Sequence, residues 1–372
     1  MLKAPTIHAL ASLSLLTVLG CSAASSSSTT PDTAAADGGA DATDSTSDGA
    51  DGTPSTDATD EDAVSAENKD TNGADGASSD DAVSTDDDAT VAPEDTATEQ
   101  DTQASYPKAP EALGGDRPAA YFLPDNYDSQ KAWPLVLLLH GYSATGYIQN
   151  IYLGVSARTT EDGFILVVPE GTPNSEGKQF WNATDACCNF ENTPVDDVAY
   201  LTGLVTEAEK YFHIDPARVY SFGHSNGGFM SYRLACEASD VFAGIVSLAG
   251  STWKNDAKCP AGSPVSVLQV HGTKDETIAY EGEFGYPSAK LTAEAWAKRD
   301  GCEGASTPGD ALDLEAQLAG AETKTESWQS CSEGTTVALW TLEGGSHVPG
   351  FNGSFTKDAI AFLLSHSKAL PE

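Results

Sequence analysis

The sequence predicts an α/β fold with a mostly parallel, doubly wound sheet in residues 106–372. Apolar runs such as WPLVLLLH (133–140) and VSVLQVHG (265–272) are nearly continuous, as expected of strands that are buried on both faces of a parallel sheet. Helical patterns lie between these runs, and such alternation is typical of α/β domains. The length of this segment suits one domain of that class.

The predicted elements follow one another in a regular order. We expect strands within residues 119–124, 133–140, 163–171, 218–222, 242–250, 265–272 and 336–345. We expect helices over 196–212, 226–237, 289–299 and 355–365. Ligands of such sheets bind beyond the carboxyl ends of the strands, so candidate residues are sought where the predicted strands end.

The first 21 residues resemble a lipoprotein signal peptide. Lys3 precedes an apolar stretch, residues 9–20, which is too short to be a confident membrane-spanning helix. The stretch ends in VLGC, similar to the bacterial motif whose cysteine is lipidated, here Cys21. We therefore expect an exported bacterial lipoprotein, in the cell envelope or outside the cell, that contacts the membrane only through a lipid anchor. The alternative is an ordinary secretion signal cleaved nearby.

Residues 22–105 predict a disordered acidic linker rich in Ala, Ser, Thr and Asp. They contain 22 of the chain's 56 acidic residues and a single basic one, Lys69. Such a segment has too few large apolar side chains to offset the entropy lost on folding. The remaining 34 acidic residues outnumber 17 basic ones in residues 106–372, which argues against a nucleic-acid partner.

Six cysteines remain beyond Cys21, an even number that favours disulfides in an exported chain. Cys302 and Cys331 flank one insertion and are the first pair we predict. The other four, whose connectivity the sequence leaves open, are Cys187, Cys188, Cys236 and Cys259. We expect the adjacent cysteines to bridge elsewhere, to Cys236 and Cys259 in some order, because adjacency is not a zinc-ligand spacing.

The segment SFGHSNGG contains a G-x-S-x-G pattern centred on Ser225. A β-branched and aromatic run precedes it and a helical pattern follows it, which is the context in which such a serine is lifted clear of a sheet as a nucleophile. Gly223 and Gly227 would be required because a Cβ would collide at the bend. The alternative is a glycine turn with an idle serine, since five-residue matches occur by chance.

The base and acid that Ser225 needs are predicted from chain order, which runs serine, acid, histidine in this arrangement. His347 lies on a glycine-rich loop immediately after a predicted strand, and we select it as the base. Asp275 follows the strand that ends at Gly272 by a short turn and is the predicted acid, with Glu276 as the second choice.

Two backbone N–H groups are predicted to stabilise a developing oxyanion. One belongs to Asn226, directly after the nucleophile, and the other to Tyr142 in the loop after the strand LVLLLHG. This chemistry needs neither a metal nor an organic cofactor, and we expect none.

Several motifs together resemble the exported poly(3-hydroxybutyrate) depolymerase and feruloyl esterase group, which includes members of carbohydrate esterase family 1. The motifs are LHGY, FWNATDACCN, VDDVAYLTGLV, RVYSFGHSNGGFMSYRLACE, HGTKDETIAYEG and GGSH. The resemblance covers nearly all of residues 107–366. It implies an α/β-hydrolase fold and a triad of Ser225, Asp275 and His347.

One departure concerns the residues after the histidine. Many relatives carry a tryptophan there, whereas this chain has Val348 and Pro349. Trp181 and Phe180 are alternative sources of an aromatic wall, and Trp181 is our candidate substrate-binding residue. The alternative for both is core packing.

These observations predict an exported serine carboxylic ester hydrolase that works through an acyl-enzyme. Feruloyl or acetyl esters of plant xylan are the first expected substrates, and poly(3-hydroxybutyrate) or its oligomers the second. A serine peptidase of the same fold and a non-catalytic surface binding protein are the alternatives of other classes.

Overall fold

A computed structural model describes residues 105–370 of the chain. The predicted signal peptide with Cys21, and the predicted linker apart from Ser105, lie outside the described residues. The expected fold class is confirmed, because a mostly parallel sheet with helices dominates the described part.

Nine of the eleven strands in residues 105–370 form the main sheet, and two form a small hairpin. The strands are β1 (Ala120–Phe122), β2 (Trp133–Leu139), β3 (Ile165–Val168), β4 (Thr172–Pro173), β5 (Gln179–Phe180), β6 (Ile214–His224), β7 (Gly244–Leu248), β8 (Ser266–Gly272), β9 (Thr307–Pro308), β10 (Thr323–Trp328) and β11 (Val337–Leu342). The sheet order is β1-β3-β2-β6-β7-β8-β11-β10-β9. Strands from β3 to β11 in this order are parallel, and β1, β10 and β9 pair antiparallel with their neighbours.

Five α-helices accompany the sheet within the described residues. They are α1 (Gly146–Leu153), α2 (Asp197–Glu209), α3 (Asn226–Glu237), α4 (Ala289–Arg299) and α5 (Gly353–Leu364). The predicted bounds of α3 and α4 are confirmed, and those of α2 and α5 differ by one to three residues. No helix in residues 105–370 combines the length and the apolar character that a membrane span requires.

The core lies on both faces of the sheet. Leu135, Leu137 and Leu139 of β2 pack into one hydrophobic cluster, whereas Val136 and Leu138 pack into another. Alternate residues of a strand point to opposite faces, so a strand covered on both sides must be apolar throughout. All seven residues of β2 are buried, which explains the continuous apolar run.

Two of the elements that the sequence did not predict, β10 and α1, carry polar or exposed residues. Strand β10 reads TKTESW and buries only its two end residues, because it lies near the edge of the sheet between two antiparallel partners. Helix α1 exposes Tyr147, Ile148 and Ile151. A helix is predicted from apolar residues that recur on the face turned toward the core, and in α1 the exposed apolar residues lie on the outward face instead.

Three disulfides are present in the described residues, and one prediction about them is wrong. Cys302 pairs with Cys331 as predicted. Cys187 and Cys188 pair with each other rather than with distant partners. Cys236, on α3, instead bonds Cys259 across a Cα–Cα distance of 5.1 Å, which leaves neither of these two available to the adjacent pair.

Candidate active site

Ser225 occupies a sharp turn between β6 and α3, near the carboxyl end of the central strands. Its φ of 55° and ψ of −120° place it in a region that L-residues rarely adopt. A Cβ on Gly223 would collide with the backbone of Gly227, and a Cβ on Gly227 would collide with the Leu139 carbonyl. Both glycines are therefore required by close backbone approach, as the motif predicted.

The structure brings the three predicted residues together in a continuous hydrogen-bonded chain. His347 Nε2 lies 2.9 Å from Ser225 Oγ, and His347 Nδ1 lies 2.8 Å from an oxygen of Asp275. A carboxylate accepts only, so Nδ1 carries the proton and Nε2 is the acceptor that faces the serine hydroxyl. This tautomer is the one that can remove a proton from Ser225.

Asp275 is buried and its oxygens have four donors. One oxygen accepts hydrogen bonds of 2.8 Å from the N–H groups of Thr277 and Ile278. The other faces His347 and lies 3.3 Å from Nε2 of His271. Burial alone would raise the pKa of Asp275, but the hydrogen bonds from His271 and His347 outweigh it and hold the pKa well below its usual value. The acid therefore remains ionised. Glu276, the second choice, is exposed and has no place in this chain.

His271 is a supporting residue, and chain order excludes it as the base because it precedes the acid, Asp275. Its Nδ1 accepts from the amide of Gln269 at 3.1 Å, which places the ring proton on Nε2. That N–H donates to the Ile278 carbonyl at 2.8 Å and also faces Asp275. His271 thus fixes the turn that carries Asp275. Its position at the end of a buried strand was the signal available in the sequence.

Two further residues hold the loop that carries His347, residues 344–350, which is here called the histidine loop. His224, directly before the nucleophile, donates from Nε2 to the carbonyl of His347 at 2.9 Å. Tyr152 donates its hydroxyl to the Pro349 carbonyl at 2.9 Å. Burial, together with the nearby His347, lowers the pKa of His224 to about 3, so its ring is neutral.

The predicted oxyanion donors flank Ser225. Asn226 is the first residue of α3, and the N–H groups of a first helical turn have no partner within the helix. A Cβ on Gly141 would lie 3.3 Å from the Ser225 Cβ, so the turn that contains Tyr142 passes close to the nucleophile. Ser143 N–H donates to the Gln179 carbonyl at 2.8 Å, which fixes that turn.

The structure corrects the prediction that Trp181 touches substrate. Trp181 is fully buried, with its indole N–H donating to the His140 carbonyl at 2.9 Å, and Phe180 is also buried. The side chain of Asn226 accepts from the Trp181 N–H at 2.7 Å and donates to the Trp181 carbonyl at 3.0 Å. Trp181 is therefore core packing and an anchor for the segment that follows it.

A cavity of about 280 Å³ opens over Ser225. Its lining is mostly apolar and comprises Gly141, Tyr142, Ala144, Ile148, Gln149, Tyr152, Cys187, Cys188, His224, Ser225, Thr277, Ile278, His347 and Val348. Within residues 105–370, no group of three or more His, Cys, Asp or Glu side chains is arranged to hold a metal ion.

The chain is similar to proteins of a known family. Residues 110–303, just over half of the chain, match the model of the Esterase family, described as "Putative esterase". The matched region contains Ser225 and Asp275, and His347 lies beyond it.

Two curated relatives and one solved structure illustrate the similarity. Feruloyl esterase B of Piromyces equi is 27% identical over 242 residues, which are 61% of this chain and 42% of that protein. The bifunctional acetylxylan esterase/xylanase XynS20E of Neocallimastix patriciarum is 24% identical over 246 residues, 63% of this chain and 31% of that protein. The chain thus spans less than half the length of either relative.

The solved acetyl xylan esterase from Aspergillus awamori is 16% identical, with a TM-score of 0.47 over 70% of this chain and 100% of that one. Independently of that likeness, the described residues carry the parallel sheet, the serine turn between β6 and α3, and a histidine loop after β11. These features define the α/β-hydrolase fold. With the match of the family model to more than half of its length, the chain belongs to the Esterase family.

Proposed function

We propose that the chain is a serine carboxylic ester hydrolase that works through an acyl-enzyme. The observation that carries the proposal is the chain of hydrogen bonds from Ser225 through His347 to Asp275 at an apolar cavity. A serine hydroxyl is a weak nucleophile unless a base oriented by a third group takes its proton. All three roles are filled by residues at strand ends.

The geometry supports the following sequence of steps. Ser225 Oγ attacks the ester carbonyl while His347 Nε2 takes the hydroxyl proton, and Asp275 stabilises the imidazolium that forms. The N–H groups of Asn226 and Tyr142 stabilise the negative oxygen of the tetrahedral intermediate. The intermediate expels the alcohol, which receives the proton from His347. Water, deprotonated by the same histidine, then releases the acid from Ser225.

Feruloyl esters of plant xylan are the proposed substrates, ahead of acetyl esters. The relatives named above are a feruloyl esterase and an acetylxylan esterase, which supports esters of this polysaccharide. The cavity of about 280 Å³ approaches the size of pockets that enclose drug-sized ligands, roughly 300 Å³ and above. An acetyl group would leave most of this apolar volume unfilled, whereas an aromatic acyl group would occupy it.

A polyester such as poly(3-hydroxybutyrate), or its oligomers, is the second candidate because the mouth of the cavity is apolar. Ile148 and Val348 line the cavity and are 53% and 50% exposed. Tyr147 and Ile151, on the same helix as Ile148, are 68% and 59% exposed. Clustered apolar residues on a surface favour contact with an apolar partner, which an uncharged polyester would provide.

Hydrolysis of methyl ferulate by the purified chain, beside its Ser225→Ala variant, tests the proposal. We expect turnover by the parent and a loss of about four orders of magnitude or more in kcat for the variant. Turnover of acetylated xylan or hydroxybutyrate oligomers, without turnover of methyl ferulate, would reassign the acyl group but keep the mechanism. Cleavage of peptides alone would favour the peptidase. No turnover of any of these compounds would favour the binding protein.

Export and lipid anchoring are proposed separately, from the sequence. Three disulfides in residues 105–370 fit an oxidising compartment, which supports export. We expect radioactive palmitate to label the chain in a bacterial host and the Cys21→Ser variant to remain unlabelled. Equal labelling of both proteins would contradict lipidation at Cys21.

A further inference from the structure

The disulfide between Cys187 and Cys188 forms part of the wall of the cavity that contains Ser225. Both cysteines line the cavity, and both are almost fully buried. They also belong to a hydrophobic core cluster that includes Phe229 and Tyr286, which do not line the cavity. The disulfide is therefore packed between the core on one side and the space for substrate on the other.

The segment that carries this disulfide, residues 181–195, is here called the disulfide loop, and it is anchored at several points. Its first residue is held by the side chain of Asn226, as described above. Asn182 N–H donates to buried Asp197 at 2.6 Å. Thr184 and Cys187 exchange two backbone hydrogen bonds, of 3.1 and 3.2 Å. With so many anchors, the wall has little freedom to retreat from a ligand.

The loop also reaches the oxyanion side of the site. Phe190 packs edge-on against Tyr142, with ring centroids 5.6 Å apart. A leaving alcohol must lie next to His347, which protonates it. The acyl group therefore fills the part of the cavity away from His347. Its carbonyl lies at the proposed oxyanion donors, Asn226 and Tyr142, and both of these residues contact the disulfide loop.

We propose that the Cys187–Cys188 disulfide is a specificity-determining wall that receives the aromatic ring of the acyl group. Sulfur is polarizable and makes favourable contacts with aromatic rings, whereas it offers little to an acetyl group too small to reach it. Val348 occupies the position after His347, so that position supplies no aromatic surface. This inference rests on the proposed function, because it names the wall against which the proposed aromatic acyl group packs.

The first test compares large and small acyl groups in one protein preparation. We expect Cys187→Ala/Cys188→Ala to lower the ratio of kcat/KM for methyl ferulate to kcat/KM for methyl acetate by about tenfold, mainly through KM for ferulate. The matched control is Cys302→Ala/Cys331→Ala, which removes a disulfide that does not line the cavity. Its ratio should stay within about twofold of the parent's. A ratio is independent of how much of the preparation has folded.

The second test does not depend on ester turnover. Ser225 Oγ attacks the sulfur of a sulfonyl fluoride, the S–F bond breaks, fluoride leaves and the hydroxyl proton passes to His347. We expect the rate with phenylmethanesulfonyl fluoride, relative to methanesulfonyl fluoride, to fall by about tenfold in the alanine pair. Cys187→Ser/Cys188→Ser serves as a second variant if the alanine pair does not fold, and its hydroxyls should lower the same ratio.

The outcomes separate the two proposals. Suppose that the protein hydrolyses methyl ferulate and that the ferulate-to-acetate ratio is unchanged in the Cys187/Cys188 variants. The proposed role of the disulfide as a specificity-determining wall would then be wrong, but the proposed function would stand. If the parent reacts with both fluorides but hydrolyses no ester, the proposed function fails. The ratio of the two fluoride reaction rates then decides alone whether the disulfide contacts the aromatic group. If the parent hydrolyses no ester and Ser225 reacts with neither fluoride, both proposals are overturned.

Discussion

The two sides of the cavity are built in different ways. The catalytic edge, defined as Ser225, Asp275 and His347 with their turns, comes from the ends of parallel strands. The disulfide loop, residues 181–195, contains no strand or α-helix and is held by side chains from elsewhere, such as those of Asn226 and Asp197. Backbone register therefore positions the reacting groups, whereas long-range side-chain contacts position the wall.

The largest effect should come from the catalytic edge, at Asp275. Asp275→Asn turns an N–H₂ group toward His347 Nδ1 and forces that atom to accept, so the ring proton moves to Nε2 and blocks attack. In serine hydrolases with this arrangement, such a change lowers kcat by about 10⁴-fold. We expect the same order here, measured by steady-state ester hydrolysis.

The adjacent carboxylate provides the matched control for that experiment. Glu276 is exposed and takes no part in the hydrogen-bonded chain, so Glu276→Gln should change kcat by less than about twofold. If Glu276→Gln were the more damaging change, the assignment of Asp275 as the acid would be wrong.

A smaller effect is expected at the junction between the two sides, the Asn226 side chain. Asn226→Ala leaves the buried N–H and carbonyl of Trp181 without their partner, which should lower the free energy of unfolding by about 3 kcal/mol. Asn182→Ala removes a single partly exposed hydrogen bond to the Val195 carbonyl and should cost about 1 kcal/mol. Urea denaturation measures both.

Equal losses in these two variants would show that the disulfide loop is anchored no more firmly at Asn226 than along its own length. In that case the comparison between the two sides would lose its main physical basis.

A pH experiment compares buried histidines on the two sides. Burial lowers the pKa of His140, which packs against Trp181, to about 4, and that of His224 to about 3. In the unfolded chain each histidine binds a proton below about pH 6.5, whereas in the folded protein the buried ring stays neutral until a lower pH. The free energy of unfolding must therefore fall as the pH falls. Between pH 6.5 and 4.5 each histidine should account for about 2 to 3 kcal/mol of this loss.

Replacing either histidine by asparagine should flatten the pH dependence of unfolding over that range. The His140→Asn variant should still lose stability below pH 4, where His224 continues to titrate, whereas His224→Asn should lose less there. Urea denaturation at several pH values gives both curves. A dependence as steep as the parent's in both variants would contradict the neutral state of these rings.

The catalytic edge could be predicted from the sequence more completely than the disulfide loop. Ser225, Asp275 and His347 were recognised because each follows a buried strand by a few residues, and the glycines of the turn leave a local pattern. Cys236 and Cys259, far from Cys187 and Cys188 in the chain, bond each other and leave the adjacent cysteines to pair. Trp181 is likewise buried against a distant residue, His140. No local pattern encodes which of two long-range arrangements surrounds such residues. Helix α1 was missed for a related reason, since Tyr147, Ile148 and Ile151 are exposed rather than packed in the core.

The smallest expected effect comes from Tyr152 of α1, which holds the loop that carries His347 but lies outside the hydrogen-bonded chain. Tyr152→Phe removes the hydroxyl that donates to the Pro349 carbonyl and keeps the ring that packs near His224, with centroids 5.6 Å apart. One neutral hydrogen bond contributes about 1 kcal/mol, so its loss should lower kcat by at most about fivefold. A loss comparable to that of Asp275→Asn would mean that the loop needs Tyr152 to reach Ser225 at all. The catalytic edge would then depend on side-chain contacts as much as the disulfide loop does.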